Sequence, residues 1–182
     1  MKVGGLVLAA GEGSRFEGGT KQLAPLDGRP LLEHALRAVA ALRPRVVVLG
    51  HAAEEILGRV DLHGAEPVIC RDWALGQSAS LRAGIDALGD VDAAVVVLGD
   101  QPRITAAAVA AVAAAGGTAR ASYSGRPGHP IRIPRALLDR AGELRGDVGF
   151  REILGLAEVR EVEVGELADP VDVDTREELA RL

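Results

Sequence analysis

Residues 3–23 read VGGLVLAAGEGSRFEGGTKQL, and this stretch decides the fold. Residues 3–8 form a short apolar run suited to a buried strand. The chain then enters a loop holding Gly11, Gly13, Gly18 and Gly19, with Arg15 and Lys21 among them. Glycine lets backbone N–H groups approach an anion with no β-carbon in the way, so a strand, a glycine loop and two cations make a phosphate cradle. Two familiar cradles do not fit. A dinucleotide G-x-G-x-x-G loop needs glycine where Phe16 stands, and a Walker A loop needs Ser or Thr where Gln22 follows Lys21. The plain alternative is a surface turn with incidental charges.

Working outward, apolar runs at 45–49, 67–70 and 93–98 alternate with helical patterns at 30–42, 53–57, 78–88 and 105–115. That alternation predicts βαβ units and a mostly parallel sheet. Pro30 suits a first helical turn, Ser78 is placed to cap its helix, and Thr105 and Gly116–Gly117 bound an alanine-rich one. Shorter elements follow: strands at 120–123, 131–133 and 159–164, and helices at 134–141, 148–154 and 175–182. Without repeats or a disordered linker, residues 1–182 are expected to form one domain.

Composition narrows the function. The 182 residues are 48% hydrophobic but only 2% aromatic, so the core is built from Ala, Val and Leu, which favours close helix–sheet packing. A net charge of −5 argues against a general nucleic-acid binder. The lone Cys70 excludes an internal disulfide framework or a multi-thiolate metal site and predicts a reducing, cytoplasmic home. No apolar run approaches the roughly 20 residues that span a bilayer, so no membrane association is expected. The first 13 residues could pass for a signal peptide, but glycines break them and they read better as the first strand. Nineteen of the 21 basic residues are Arg, leaving only Lys2 and Lys21 as compact ammonium groups.

Further candidates lie downstream. Asp100, in VVVLGDQP, falls just past the carboxyl end of a buried strand, where open α/β sheets bind ligands. It could hold Mg²⁺ against phosphates cradled by residues 11–21, or be a turn Asp before Pro102. Asp172 and Asp174 precede the last helix; capping by Asp174 or Thr175 explains one carboxylate at most, and a second metal ligand is the sharper reading. In GQSASLRAG, residues 76–84, the helix N-terminus with Ser78 or Ser80 could face a nucleotide, or Ser78 could simply cap. His129, in GRPGHP, is expected on an exposed loop. Asp147 and Arg151, in GDVGFRE, could pair with each other. Trp73 and Cys70 read as packing residues.

LAAGEGSRF, GGTKQL, GQSASLRAGI, LGDQP, GHP, GDVGFREIL and DVDTREEL occur in the order shown by MobA-like nucleotidyltransferases. The sequence is similar to that family from Val3 to Leu179, and most resembles its molybdenum-cofactor cytidylyltransferase (MocA-type) branch. The resemblance implies a Rossmann-like, three-layer α/β/α nucleotidyltransferase with a mostly parallel sheet. It places Leu8, Ala9, Ala10, Gly11 and Gly13 on the base and phosphates, Arg15 and Lys21 on the triphosphate, and Ser80 near the base. It implies Mg²⁺ on Asp100 with Asp174 as second ligand, and Gln101, His129, Asp147 and Arg151 on the acceptor side. Ala10, in LAAG rather than LAGG, implies CTP rather than GTP. Two departures stand out: Arg176 replaces the family's Pro and Glu178 its Asp near the C-terminus, while Glu17 is inserted before Gly18.

The expected reaction is in-line transfer: an acceptor phosphate oxygen attacks the α-phosphorus of CTP and pyrophosphate leaves, with Arg15, Lys21 and Asp100 as the catalytic groups. The acceptor implied is a molybdopterin-type cofactor. A sugar, polyol or flavin-like phosphate is the alternative, as is a non-catalytic nucleotide sensor. A dinucleotide oxidoreductase is disfavoured by Phe16.

Overall fold

The computed structural model describes residues 1–143, 146, 152, 154, 155 and 157–182. Its centre is β1 (Val3–Ala9), paired in parallel with β4 (Arg45–Leu49) on one side and β6 (Ala93–Leu98) on the other. The full sheet runs β5 (Glu66–Ile69), β4, β1, β6, β8 (Arg126–Pro134), β7 (Thr118–Tyr123), β9 (Val159–Glu163). Only β8 opposes the others, pairing antiparallel with both β6 and β7. Because β1 neighbours β4 on one side and β6 on the other, its carboxyl end is a topological switch point, where such sheets open a crevice.

Strand periodicity explains the two-sided core. Val7, Ala9, Val47, Leu49, Val95 and Val97 join one apolar layer, and Leu6, Val46, Val48, Ala94 and Val96 join the other. The first layer is covered by α1 (Leu31–Ala38), α2 (Ala53–Leu57) and α4 (Ala106–Ala114). The second is covered by α3 (Gln77–Leu88) and α5 (Arg135–Leu138). A short helix, α6 (Arg176–Leu179), lies at the carboxyl end. Small residues let the layers approach closely. At Gly84 of α3, an added β-carbon would sit 2.4 Å from Leu6 Cδ1 and 2.8 Å from Val48 Cγ2.

Two buried arginines secure helix exits. Arg45 donates to Ala40 O, Leu42 O and His63 O, and Arg132 to Ala113 O and Gly117 O. Each gives carbonyls in or beyond the last turn of a helix a charged donor.

Several expectations need correction. Helix 30–42 is shorter: Pro30 caps it and Val39 ends it. A hairpin precedes it, β2 (Pro25–Leu26) with β3 (Arg29–Pro30), turned by Asp27 and Gly28, both at positive φ. Ser78 does not cap α3; Gly76 holds that position at φ +114°, and Ser78 is buried with its N–H donating to Gly146 O. The stretch 124–130 is mostly strand. Ser124 and Gly125 make the turn and residues 126–130 continue β8: residues 126–128 pair with β7 alone, while His129 and Pro130 fall at a shift in register, an irregularity that tolerates proline. The expected helix 148–154 falls largely outside the described residues.

The tight seat of Gly84 gives a direct test. Gly84→Val is expected to destabilise the protein by about 1–3 kcal/mol in urea unfolding; an unchanged midpoint would contradict the close approach of α3 to β1 and β4.

Candidate active site

Register brings the chemistry together. Ala9 pairs with Leu49 and Leu8 with Leu98, so the loops after β1, β4 and β6 leave the sheet at one level. A cleft opens there, lined by Leu8, Ala9, Gly11, Gly13, Lys21, Gln22, Gly99 and Asp100. The C-terminal segment joins through Val173, which is fully buried and whose N–H donates to Asp100 O at 2.9 Å. That single backbone bond sets Asp174 beside Asp100.

Lys21 is the centre of the site. Its Nζ lies 2.9 Å from Asp100 Oδ2 and 3.0 Å from Asp174 Oδ1, with only 8% of the side chain exposed. Burial on its own would lower the ammonium's pKa, but the two carboxylates outweigh it and hold the group above an ordinary lysine. Arg15, largely exposed, reaches Asp174 Oδ2 at 2.8 Å. Two cations and two carboxylates therefore balance.

Capping competed with metal binding as an explanation of the C-terminal carboxylates, and the geometry separates them. Thr175 caps α6 in a reciprocal box with Glu178, which also accepts from Asp174 N–H. The Asp174 carboxylate is thereby left for Lys21 and Arg15. Asp172 instead accepts from Gln101 Nε2 at 2.9 Å, and burial together with the nearby Asp100 and Asp174 charges outweighs that bond and raises its carboxyl above the usual range.

Of the expected nucleotide contacts, Leu8, Ala9, Gly11, Gly13 and Lys21 line the cleft. Ala10, Arg15 and Ser80 do not. Ala10 is buried in the apolar layer shared with Ala79 and Leu81, and its carbonyl accepts from His51 N–H. Ser80 is buried on the first turn of α3. Asp147 and Arg151 lie outside the described residues.

His129 corrects its expectation. It lies on β8, partly buried, with Nε2 sealed from solvent and unpartnered, while Tyr123 Oη donates to its carbonyl at 2.6 Å. Burial pushes its imidazole down to about 4, against a weaker upward pull from Asp100. The ring is neutral at neutral pH.

Sequence reasoning missed the residues that shape the loop. Gln22 Nε2 donates to Ala9 O at 3.1 Å and Gly11 O at 3.2 Å, and Thr20 Oγ1 donates to Glu55 Oε2 at 2.7 Å. Gln22 registered only as the residue that breaks a Walker A match. Its bonds reach back 13 and 11 residues, a separation no local pattern reports.

The family model of the MobA-like NTP transferase domain matches residues 5–163. The chain belongs to that family. Nicotine blue oxidoreductase of Paenarthrobacter nicotinovorans is 32% identical over 200 residues, covering 99% of this chain and 96% of that protein. The bifunctional protein GlmU of Aromatoleum aromaticum is 35% identical over 97% of this chain, which spans only 40% of GlmU's length. The crystal structure of Rv0371c from Mycobacterium tuberculosis H37Rv in complex with manganese superposes with a TM-score of 0.84 at 28% identity, covering 100% of this chain and 98% of that one. The fold is thus that of the NTP transferases, and the family supports nucleotidyl transfer as the class of activity. No helix among the described residues is long and apolar enough to cross a membrane.

Within this NTP transferase domain, the neutral His129 makes stability acid-sensitive. The unfolded ring takes its proton near pH 6.5, whereas the native ring resists until about 4. Its contribution is therefore complete above about pH 6.5 and lost as pH falls toward 4, at up to about 1.4 kcal/mol per pH unit. Between pH 7 and 4.5 the wild type should lose about 2–3 kcal/mol more than His129→Gln in urea unfolding. Equal losses in the two proteins would show that His129 is not held neutral.

Proposed function

We propose that the protein transfers CMP from CTP to a phosphorylated small molecule, of molybdopterin type, and releases pyrophosphate. The observation that carries this reading is Lys21 in the glycine loop, held at 2.9 and 3.0 Å by carboxylates from two other segments at the sheet's switch point. The CTP preference rests on Ala10 and the acceptor class on the resemblance of the GHP and GDVGFRE segments. The whole chain is read as one catalytic domain.

In this reading Lys21 and Arg15 exchange their carboxylate partners for triphosphate oxygens and neutralise them, and the loop amides hold the phosphates in place. An acceptor phosphate oxygen forms a bond to the α-phosphorus as the bond from that phosphorus to the bridging oxygen of pyrophosphate breaks. No protein nucleophile is needed; positioning and charge neutralisation carry the step. Gln101 and the neutral His129 are read on the acceptor side of the site, where Oε1 of the one and Nε2 of the other are buried without a partner. Neutral groups suit the uncharged polar part of an acceptor rather than its phosphate.

A divalent cation, Mg²⁺, fits the residues present. Asp100 Oδ1 is buried with no partner, and oxygens of Asp100 and Asp174 already converge on one cationic point. Asp100 and Asp174 would hold it. Among the described residues no three His, Cys, Asp or Glu side chains gather as a cage. Such a site suits Mg²⁺, which keeps waters and substrate phosphates as its remaining ligands. Bound there, the ion would supply electrostatic stabilisation of charge on the phosphates. The manganese in the Rv0371c structure supports a divalent cation as the cofactor.

A second reading, oxidoreduction, is favoured by one observation: the relative matched over 99% of this chain is named an oxidoreductase. Two measurements decide. Lys21→Ala and Asp100→Ala should each lower kcat/KM for pyrophosphate release by about 10²–10³; near-wild-type turnover would overturn the assignment. In a thermal-shift panel with Mg²⁺, CTP should stabilise more than GTP, ATP or UTP. NADH binding detected by fluorescence, without stabilisation by any triphosphate, would favour the oxidoreductase instead.

A further inference from the structure

The tip of the glycine loop is held from the far end of the chain. Arg176 Nε donates to Glu17 O at 2.5 Å and Nη2 to Gly18 O at 2.8 Å. The same guanidinium lies 5.0 Å from the centroid of the buried Phe16 ring. Two residues earlier, Asp174 pairs with Arg15. Residues 15, 16, 17 and 18 are thus each engaged by Asp174 or Arg176.

From this geometry we infer that Arg176 is a positioning residue for the bound nucleotide. In a trans peptide the N–H points opposite to the C=O, so fixing the carbonyls of Glu17 and Gly18 also fixes the N–H groups of Gly18 and Gly19. Those glycines sit at φ +78° and +140°, and glycine has little conformational preference of its own to keep them there. The forked guanidinium supplies the order that their backbone lacks. Its anchor is firm: Thr175 and Glu178 cap the helix whose first residue is Arg176, and Val173 and Phe16 share one buried cluster with Leu26 and Leu31. Two of the three residues that depart from the resembled family pattern, Glu17 and Arg176, meet here. A proline at 176 could donate neither bond.

The functional half of this inference rests on the nucleotide reading above, so the test has one arm that needs no nucleotide. In the full-length protein, Arg176→Ala should speed amide hydrogen exchange across residues 13–20 at least tenfold and leave β1, β4 and β6 unchanged. With Mg²⁺ and CTP, its KM for CTP should rise about tenfold while kcat stays within about threefold. Arg176→Lys, which keeps the charge over Phe16 but not the fork, should fall between the two. Unchanged exchange in the loop, or faster exchange throughout the sheet, overturns the positioning role whether or not the protein turns over nucleotide. Faster loop exchange with an unchanged KM overturns its link to the nucleotide. A wild type that neither binds nor turns over a triphosphate refutes the proposed activity, while the exchange arm still decides whether Arg176 holds the loop.

Discussion

The site depends on one buried ammonium shared between two carboxylates. Lys21, Asp100 and Asp174 come from a loop, a strand end and the approach to the last helix, and each would be costly where it stands without the others. A charge withdrawn from water is tolerated only when paired and hydrogen-bonded. Lys21 meets that condition twice, at 2.9 and 3.0 Å. A single positive charge leaves one carboxylate uncompensated, and Arg15 supplies the balance from solvent. The triad ties the glycine loop to segments 79 and 153 residues away. It thereby closes the parallel sheet's open edge over a cleft rather than leaving it to water.

The loop is flexible by composition and ordered by its surroundings. Gln22 takes the carbonyls of Ala9 and Gly11 at its base, Thr20 ties its far side to Glu55, and Arg176 takes the carbonyls at its tip. Most of these bonds bind backbone oxygens. An anion cradle needs its N–H groups free, and occupying the carbonyls from outside is how a glycine-rich segment can be preorganised without blocking its donors.

How much of this was legible follows from the range of each interaction. The strands β1, β4 and β6 show in the sequence as continuous apolar runs, because burial on both faces demands them. Asp100 was placed opposite Lys21 by topology alone: parallel strands put the ends of β1 and β6 on one edge. The residue pattern left Asp172 and Asp174 open and only the resemblance favoured Asp174; that Asp174 is the one paired with Lys21 turns on Val173 docking at Asp100 and on Thr175 taking the capping role. The β2–β3 hairpin did carry its signal, the Asp27–Gly28 pair between two prolines, which the neighbouring helical pattern obscured. His129 misled because Gly and Pro around it read as a loop. That rule fails where the proline falls at a shift in strand register, which leaves no ladder donor to lose.

The relatives show why the sheet alone does not settle the chemistry. A chain named an oxidoreductase and one named for two functions share this sequence pattern, so the fold is compatible with more than one activity and the decision falls to side chains. Here the charge balance itself argues for a particular pair of ligands. A polyphosphate arriving alone would draw Lys21 and Arg15 away and leave Asp100 and Asp174 facing it unpaired. A divalent cation arriving alone would face the buried ammonium of Lys21. On the proposed reading they would exchange partners together: phosphates would take the two cations, and the carboxylates would gain a double positive charge in return. The four charged groups would then suit a nucleotide–metal complex as a unit, and each component should bind weakly without the other.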